Sequence, residues 1–205
     1  MNYEILIAFA MATFLLALSP GPDNIFVLVQ SISNGKKSGL AVVAGLMTGC
    51  LVHTTLLALG VSAVIKSNPT IFTIIKIFGA VYLIYLAILV YKGGDHISIQ
   101  GEGLKKSLTS LFKQGFIMNV FNPKVTIFFL AFFPGFLFSE RMNSVMQFYI
   151  LGFLFILVSS VVFGAIAILA GEISVFLTKN KRIGLFLKWI QVVVFTGIAI
   201  YLVLG

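Results

Sequence analysis

The fold is decided by Ser19-Pro20-Gly21-Pro22-Asp23-Asn24 and Asn122-Pro123-Lys124, two short stretches that each interrupt a long apolar run. Proline removes a backbone donor and disrupts the preceding helical turn. Within a bilayer, irregular backbone is tolerated only where protein or a water-filled cavity satisfies its polar groups. A charge at that depth is costly and points to function. Because one break carries an acid and the other a base, the pair suits a solute with both charges, such as a zwitterionic amino acid.

The apolar runs define the class of the protein. Runs of about twenty residues recur, which is the length needed to cross about 30 Å of hydrocarbon. We predict an all-α integral membrane protein, a single transporter domain over residues 1–205 with six transmembrane helices. A cytoplasmic linker over 92–114 is expected to end in a short interfacial amphipathic helix marked by Leu104, Leu108 and Leu111. The predicted spans lie near residues 3–33, 39–65, 70–91, 115–138, 145–171 and 185–204.

The basic balance, a formal net charge of +8, reflects membrane topology rather than nucleic acid as a partner. Positive residues concentrate in alternate short loops, which is the positive-inside pattern. Both termini are therefore predicted to be extracytoplasmic, in a multi-pass membrane protein. The loops predicted to be cytoplasmic contain Lys36, Lys37, Lys92, Lys105, Lys106, Lys113, Lys179, Lys181, Arg182 and Lys188.

The two halves of the chain are weakly alike around their prolines. Shifting Pro22 onto Pro123 places Asp23 on Lys124. Three spans per half force opposite orientations, so the pattern predicts a 3+3 inverted repeat with the first and fourth helices broken. At roughly 1.5 Å per residue, both charges lie about 14–16 Å from the cytoplasmic face, near the middle of the bilayer.

Each charged residue has a structural and a functional interpretation. Asp23 suits the first turn of a helix, where the dipole favours an acid. It is also a candidate ligand for the substrate ammonium, a candidate proton carrier, or both. Lys124 has the weaker structural interpretation, because a cation in the first turn of a helix opposes the dipole. It therefore needs an anion, which is either Asp23 or a substrate carboxylate.

The residues around these charges shape the breaks. Pro20, Gly21 and Pro22 unwind the first span, either as a packed kink or as a half-helix whose free N–H groups bind an anion. Asn122 is the expected cap of the second half-helix, and Pro123 suits its first position. We assign these five residues, with Asp23 and Lys124, to the substrate site.

The second span adds one histidine and a run of glycines. His53 is either a buried, hydrogen-bonded side chain or a second candidate for proton coupling. Gly39, Gly45, Gly49 and Gly60 predict close packing of this helix against its neighbours. The phenylalanines dense around 128–138 are expected to face lipid or to fill the core.

No spacing of Cys, His or carboxylates suggests a metal site, and no nucleophile–base motif suggests an enzyme. No cofactor is expected. The expected partners are a zwitterionic amino acid, protons and the lipid bilayer, and a homo-oligomer stays open.

The chain resembles the lysine exporter (LysE) superfamily and, within it, the homoserine/threonine exporter (RhtB-like) branch. The resemblance implies a six-span inner-membrane exporter of amino acids or derivatives, driven by the proton motive force. Gly135 and Ala87 depart from residues common in the family and leave the particular substrate open. The motifs that carry the resemblance are Ser19-Pro20-Gly21-Pro22, Gly45 to His53, Lys76 with Gly79 to Leu83, Gly115-Phe116 with Asn119, Asn122-Pro123-Lys124, Phe128-Phe129 and Pro134.

The sequence thus predicts a secondary transporter that exports a small amino acid by proton exchange and alternating access. Two other classes remain. A channel-like pore for small solutes or ions would conduct without saturating. A structural or assembly subunit would keep its function after both Asp23 and Lys124 were replaced by neutral residues.

Overall fold

The computed structural model describes residues 2–19, 21–62, 69–92, 106–179 and 181–204, and within these ranges the chain is helical without a β-strand. The predicted all-α fold class is confirmed. A π-helical turn (Leu57–Val61) extends α3, and a 3₁₀ turn (Phe133–Phe136) extends α6. The helices are α1 (Tyr3–Leu18), α2 (Pro22–Asn34), α3 (Lys36–Leu56), α4 (Pro69–Lys92), α5 (Leu108–Val120), α6 (Pro123–Phe132), α7 (Ser144–Ile168), α8 (Ala170–Lys179) and α9 (Lys181–Leu204).

Two of the predicted spans are broken, as the prolines indicated. Helices α3, α4, α7 and α9 are each long and apolar enough to cross a bilayer. The pairs α1–α2 and α5–α6 reach that length only together, with bends of 59° and 51° at their breaks. The described chain therefore has up to six spans, of which the first and fourth are interrupted.

The helix boundaries follow from local chemistry at the two breaks. Pro22 is the first residue of α2 and Pro123 the first residue of α6, where a missing N–H costs nothing. Gly21 precedes Pro22 in extended backbone, and Asn122 precedes Pro123 as a side-chain cap. Pro20 lies outside the described residues.

The predicted interfacial helix before the fourth span is wrong as a separate element. Helix α5 begins at Leu108 and continues without interruption to Val120, so this segment is the first part of the fourth span. Its leucine at position 111 is fully buried and packs in the core rather than at an interface. Residues 93–105 of the predicted linker, including Leu104, lie outside the described residues. Helix α8, the short helix after the fifth span, was not predicted from the sequence.

Close glycine contacts join α3 to α5 and hold the second span against the fourth. A Cβ on Gly45 would meet the backbone carbonyl of Phe112, and a Cβ on Gly115 would meet that of Val42. A Cβ on Gly49 would come within 2.6 Å of Asn119 Oδ1, so the missing side chain makes room for that amide. The predicted packing role is confirmed for Gly39, Gly45 and Gly49. It is wrong for Gly60, where a Cβ would meet none of the described residues within 4 Å.

An aromatic core surrounds α6 and its 3₁₀ turn. The dense phenylalanines are core residues, since stacked and edge-on ring contacts join them to one another and to α1 and α7. Such contacts are worth about 0.5–1.5 kcal/mol each beyond burial. This rigid block fixes α6, and with it the position of the second break. Its buried rings are Phe9, Phe128, Phe129, Phe132, Phe133, Phe136 and Phe155.

Candidate functional site

A cavity of about 50 Å³ lies where the two breaks meet. Asp23 and Lys124, which are distant in sequence, both line it, and both are half-buried. Their opposite charges attract across the cavity. The remaining lining residues are Leu16, Ala17, Gly21, Pro22, Asn24, Leu46, Met47, Cys50, Asn119, Asn122, Val125, Phe128, Phe155, Ser159 and Phe163.

Asn122 connects the two charged residues through one side chain. Its Nδ2 donates to Asp23 Oδ2 at 3.0 Å, while its Oδ1 accepts the backbone N–H of Lys124 at 3.0 Å. The second bond is an N-cap of the kind expected for Asn before Pro. The bond from Asn122 to Asp23 joins the two breaks and was not predicted from the sequence. Within the described residues, Asp23 and Lys124 form no direct ion pair with N···O within 4.0 Å, so the amide of Asn122 holds the acid in place.

The first break leaves the N-terminus of α2 open. Gly21 has no side chain with which to cap it, and no described side chain supplies a cap. The first N–H groups of a helix have no intrahelical partner, so the N–H groups of Asp23 and Asn24 are available to an anion. The amide of Asn24 points the other way and donates to Ala17 O at 2.7 Å, which satisfies the end of α1.

The ammonium of Lys124 reaches from the second break to the first. Its Nζ lies 3.7 Å from the position that a Cβ on Gly21 would occupy. It also lies 4.9 Å from the ring centre of Phe195 on α9, a cation–π distance. The cation therefore sits beside the open N-terminus of α2, and the two together form a positive region of the cavity wall.

His53 lies one layer behind the cavity. It is buried, its ring packs 5.4 Å from that of Phe129, and its Nε2 lies 3.1 Å from the backbone carbonyl of Asn119. Since a carbonyl only accepts, Nε2 carries the proton in this bond. Asn119 also lines the cavity and contacts Cys50, with its Nδ2 3.5 Å from Sγ. His53 is thus connected to the site through Asn119 rather than exposed in it.

Four polar residues that line the cavity were not assigned to the site from the sequence: Asn24, Cys50, Asn119 and Ser159. The signal for Asn119 was available, because it is polar within an apolar run and precedes Asn122 by one helical turn. Ser159 could have been found in the same way from the Ser-Ser pair inside an apolar span. Cys50 carried no signal beyond being the only cysteine. Of the predicted site residues, those described by the structure all line the cavity except Pro123 and His53.

Comparison with known proteins agrees with this architecture. The profile of the LysE type translocator family matches residues 14–205, a range that includes both breaks. The chain belongs to this family. The predicted superfamily and its homoserine/threonine branch are therefore confirmed, and the class is a multi-pass membrane transporter.

Similar proteins occur in three bacteria. The homoserine/homoserine lactone efflux proteins of Salmonella typhimurium and Salmonella typhi are each 32% identical to this chain over 182 residues. That overlap covers 89% of this chain and 88% of each relative. An uncharacterized membrane protein of Vibrio cholerae is 25% identical over 173 residues, which is 84% of both chains. No solved structure matches this chain.

Proposed function

We propose that this LysE-type translocator is a secondary transporter that exports small amino acids or their derivatives from the cytoplasm. The proposed mechanism is exchange for protons with alternating access. The observation that carries the proposal is that Asp23 and Lys124 line one cavity at the junction of two broken helices. The efflux activity named for the Salmonella relatives supports the same direction of transport.

The roles of the site residues follow from their charges. The ammonium of Lys124 and the open N–H groups of α2 bind the substrate carboxylate, since both present positive charge to the same region. The carboxylate of Asp23 binds the substrate ammonium. Because the two charged groups of an amino acid share one carbon, their ligands must be held close together. Asn122 does this by bonding Asp23 while capping the helix of Lys124.

The prolines and Gly21 set the backbone geometry of the site, and they do not bind the substrate through side chains. Pro22 and Pro123 begin the two half-helices at the cavity, and Pro20 is assigned the same role by its place in the motif. Two breaks with the same construction support the inverted repeat, in which each half contributes one half-helix to a shared site.

Proton coupling is proposed at Asp23. A proton and a substrate ammonium neutralise the same carboxylate, so only one can occupy it at a time. Release of the amino acid outside is followed by protonation of Asp23, and arrival of a new substrate inside displaces that proton. His53 is the second candidate, since it contacts the site through Asn119.

The size of the cavity supports alternating access. About 50 Å³ holds roughly three to five water molecules, at about 10–15 Å³ for each. At about 30 Å³ of liquid volume for each water, this is the space of one small amino acid, so exchange between the two sides requires the site to open to each side in turn. We propose that it opens in turn to each side by movement of the two halves around the breaks.

The proposed orientation rests on the lysines of alternate loops. Lys36 and Lys37 begin α3, Lys92 ends α4, and Lys106 precedes α5. The positive-inside rule places these ends in the cytoplasm of a cell with an inner membrane, and both termini outside. Strong labelling of a cysteine at position 98 by an impermeant reagent, in intact cells carrying the Cys50→Ala background, would contradict this orientation.

Transport by purified protein in vesicles tests the proposed function. The vesicles are loaded with a panel of labelled amino acids, and a pH gradient is imposed across the membrane. A proton-coupled exporter gives saturable efflux that accelerates with the gradient. A channel gives efflux that does not saturate and responds only to the passive driving force. Efflux without saturation, or without a response to the gradient, contradicts the proposal.

A further inference from the structure

Several hydroxyl side chains on the described helices bond backward along their own helix. Ser31, Thr48, Thr54 and Thr55 each donate to the carbonyl four residues earlier, at 2.7–2.9 Å. That bond satisfies a hydroxyl that has no other partner in an apolar environment. Ser159 on α7 is different, because its Oγ has no hydrogen-bond partner among the described residues.

Ser159 is also one of the least accessible residues of the protein. Its exposed fraction is 1%, and it lines the cavity that holds Asp23 and Lys124. A buried hydroxyl without a partner is unfavourable, so such an atom calls for an explanation. The other partnerless hydroxyls among the described residues do not line this cavity: Thr13, Ser19, Ser62 and Ser144.

The surroundings of Ser159 give the site a second wall. Phe155 and Phe163 lie one turn before and one turn after it, so all three share one face of α7, and all three line the cavity. Ser159 is nine residues from the end of α7, and Asp23 is eleven from the end of α2. At 1.5 Å per residue, these distances are about 14 and 17 Å from helix ends that are both predicted to be cytoplasmic, so both residues are expected in the same layer of the membrane.

We propose that Ser159 is a specificity-determining residue that hydrogen-bonds a polar group on the substrate's side chain. The inference rests on the proposed function, in which Asp23, Lys124 and the end of α2 take the two charged groups. The side chain then points to the wall formed by α7. Its methylene groups contact the rings of Phe155 and Phe163, and a terminal hydroxyl or carbonyl reaches Ser159 Oγ, which can donate or accept.

The chemical class of substrate follows from this wall. One hydroxyl between two aromatic rings fits a short side chain with an apolar body and one polar end. It disfavours the shape-matched apolar analogue, which would leave Oγ without a partner. It also disfavours a charged side chain, for which the described residues of this wall offer no second charge.

Two matched substrates test the assignment. Homoserine and norvaline have side chains of nearly the same shape, but the first ends in a hydroxyl and the second in a methyl. Export of each is measured from vesicles for the unmodified protein, Ser159→Ala and Ser159→Cys. Ser62→Ala is the control, because it removes another buried, partnerless hydroxyl that lies away from the cavity. Melting temperatures confirm that each variant is folded.

We expect the unmodified protein to prefer homoserine. In Ser159→Ala this preference falls about three- to tenfold, because homoserine loses one net hydrogen bond while norvaline loses none. Ser159→Cys, a weak donor, gives an intermediate preference, and Ser62→Ala leaves it unchanged. An unchanged preference in folded Ser159→Ala overturns the inference, as does an equal loss for both substrates. Export of amino acids with no preference for homoserine overturns this inference alone, whereas absence of all amino-acid export removes the proposed function with it.

Discussion

The two breaks have similar sequences but opposite chemistry. At the first, α2 begins at Pro22 after an uncapped glycine, and its acid stands where the helix dipole favours negative charge. At the second, α6 begins at Pro123 after the cap Asn122, and its base stands where the dipole disfavours it. The first break therefore has two uncapped N–H groups, those of Asp23 and Asn24, whereas at the second break the N–H of Lys124 is bonded to Asn122 and the lysine adds its charge to the cavity.

From this difference we infer that the two breaks have different roles in binding the substrate. The cap takes the N–H of Lys124, so the second break has fewer free N–H groups than the first, and we propose that it serves mainly to carry Lys124 toward Gly21. An uncapped end costs stability and is retained where a ligand supplies the missing bonds. The asymmetry thus supports our proposal that the N-terminus of α2 is the anion site, and each of the following changes tests one side of it.

Removal of the cation should have the largest effect. Lys124→Gln keeps much of the length of the side chain but removes the charge that faces the α2 terminus. We expect proton-driven export to fall by at least a hundredfold, because the substrate carboxylate loses its charged partner and Asp23 is left without a compensating charge. The measurement is initial efflux of labelled amino acid from vesicles. Lys113→Gln, at an exposed position on α5, is the matched control and should export normally.

Loss of the bridging amide should have the next largest effect. Asn122→Ala removes both the cap of α6 and the bond to Asp23, whereas Asn143→Ala removes only a cap, that of α7. Each should lower the free energy of unfolding by about 1 kcal/mol from the lost cap. Only Asn122→Ala should also reduce export, by roughly tenfold. Similar export by the two variants, measured beside their melting curves, would mean that Asn122 is simply a cap.

Addition of a cap to the first break should raise the stability of the protein and weaken substrate binding. Both effects should be smaller than those above. Gly21→Ser places a hydroxyl at an N-cap whose backbone, at φ −156° and ψ 176°, accepts any residue. Stability should rise by a few tenths of a kcal/mol, since serine caps slightly better than glycine. Export should show a KM raised about threefold, because the new hydroxyl competes with the substrate carboxylate for the N–H groups of α2. An unchanged KM would argue against the α2 terminus as the anion site.

The smallest effect on export is expected from substitution of His53, which lies behind the cavity. His53→Gln keeps an amide donor that can reach the carbonyl of Asn119 but cannot titrate near neutral pH. If Asp23 carries the coupling proton, the pH profile of export should keep its shape and the rate should fall no more than about threefold. A profile that flattens between pH 5 and 8 would transfer the coupling role to His53.

The sequence was sufficient for the parts of this site that depend on position along a helix. Prolines in apolar runs located the two breaks, and counting residues predicted one depth for Asp23 and Lys124, which line one cavity in the structure. The sequence was not sufficient to predict which helix faces and side chains contact one another. Helices that are apolar all round carry no periodic signal that tells which face meets which neighbour. The bond from Asn122 to Asp23, the place of His53 behind Asn119, and Ser159 in the cavity wall all depend on such contacts.

Packing also explains the two helix-level errors. Residues 108–113 have an amphipathic pattern that fits an interface. Their apolar face instead packs against α3, where Gly45 allows the backbones to meet, so the segment continues into the fourth span. Gly60 was predicted from its helical spacing to make a close contact, but no residue in the described part of the chain lies within 4 Å of its Cβ position.

Binding of charge-deleted analogues tests the central claim most directly, that the two breaks hold the two charges of one zwitterion. Dissociation constants are measured by thermal shift for an amino acid, for the amine lacking its carboxylate and for the acid lacking its ammonium. Lys124→Gln should weaken binding of the amino acid and the acid about tenfold or more and leave the amine unchanged. Asp23→Asn should weaken the amino acid and the amine and leave the acid unchanged. If both variants weaken all three ligands equally, or neither weakens any, the two breaks do not divide the substrate's charges between them.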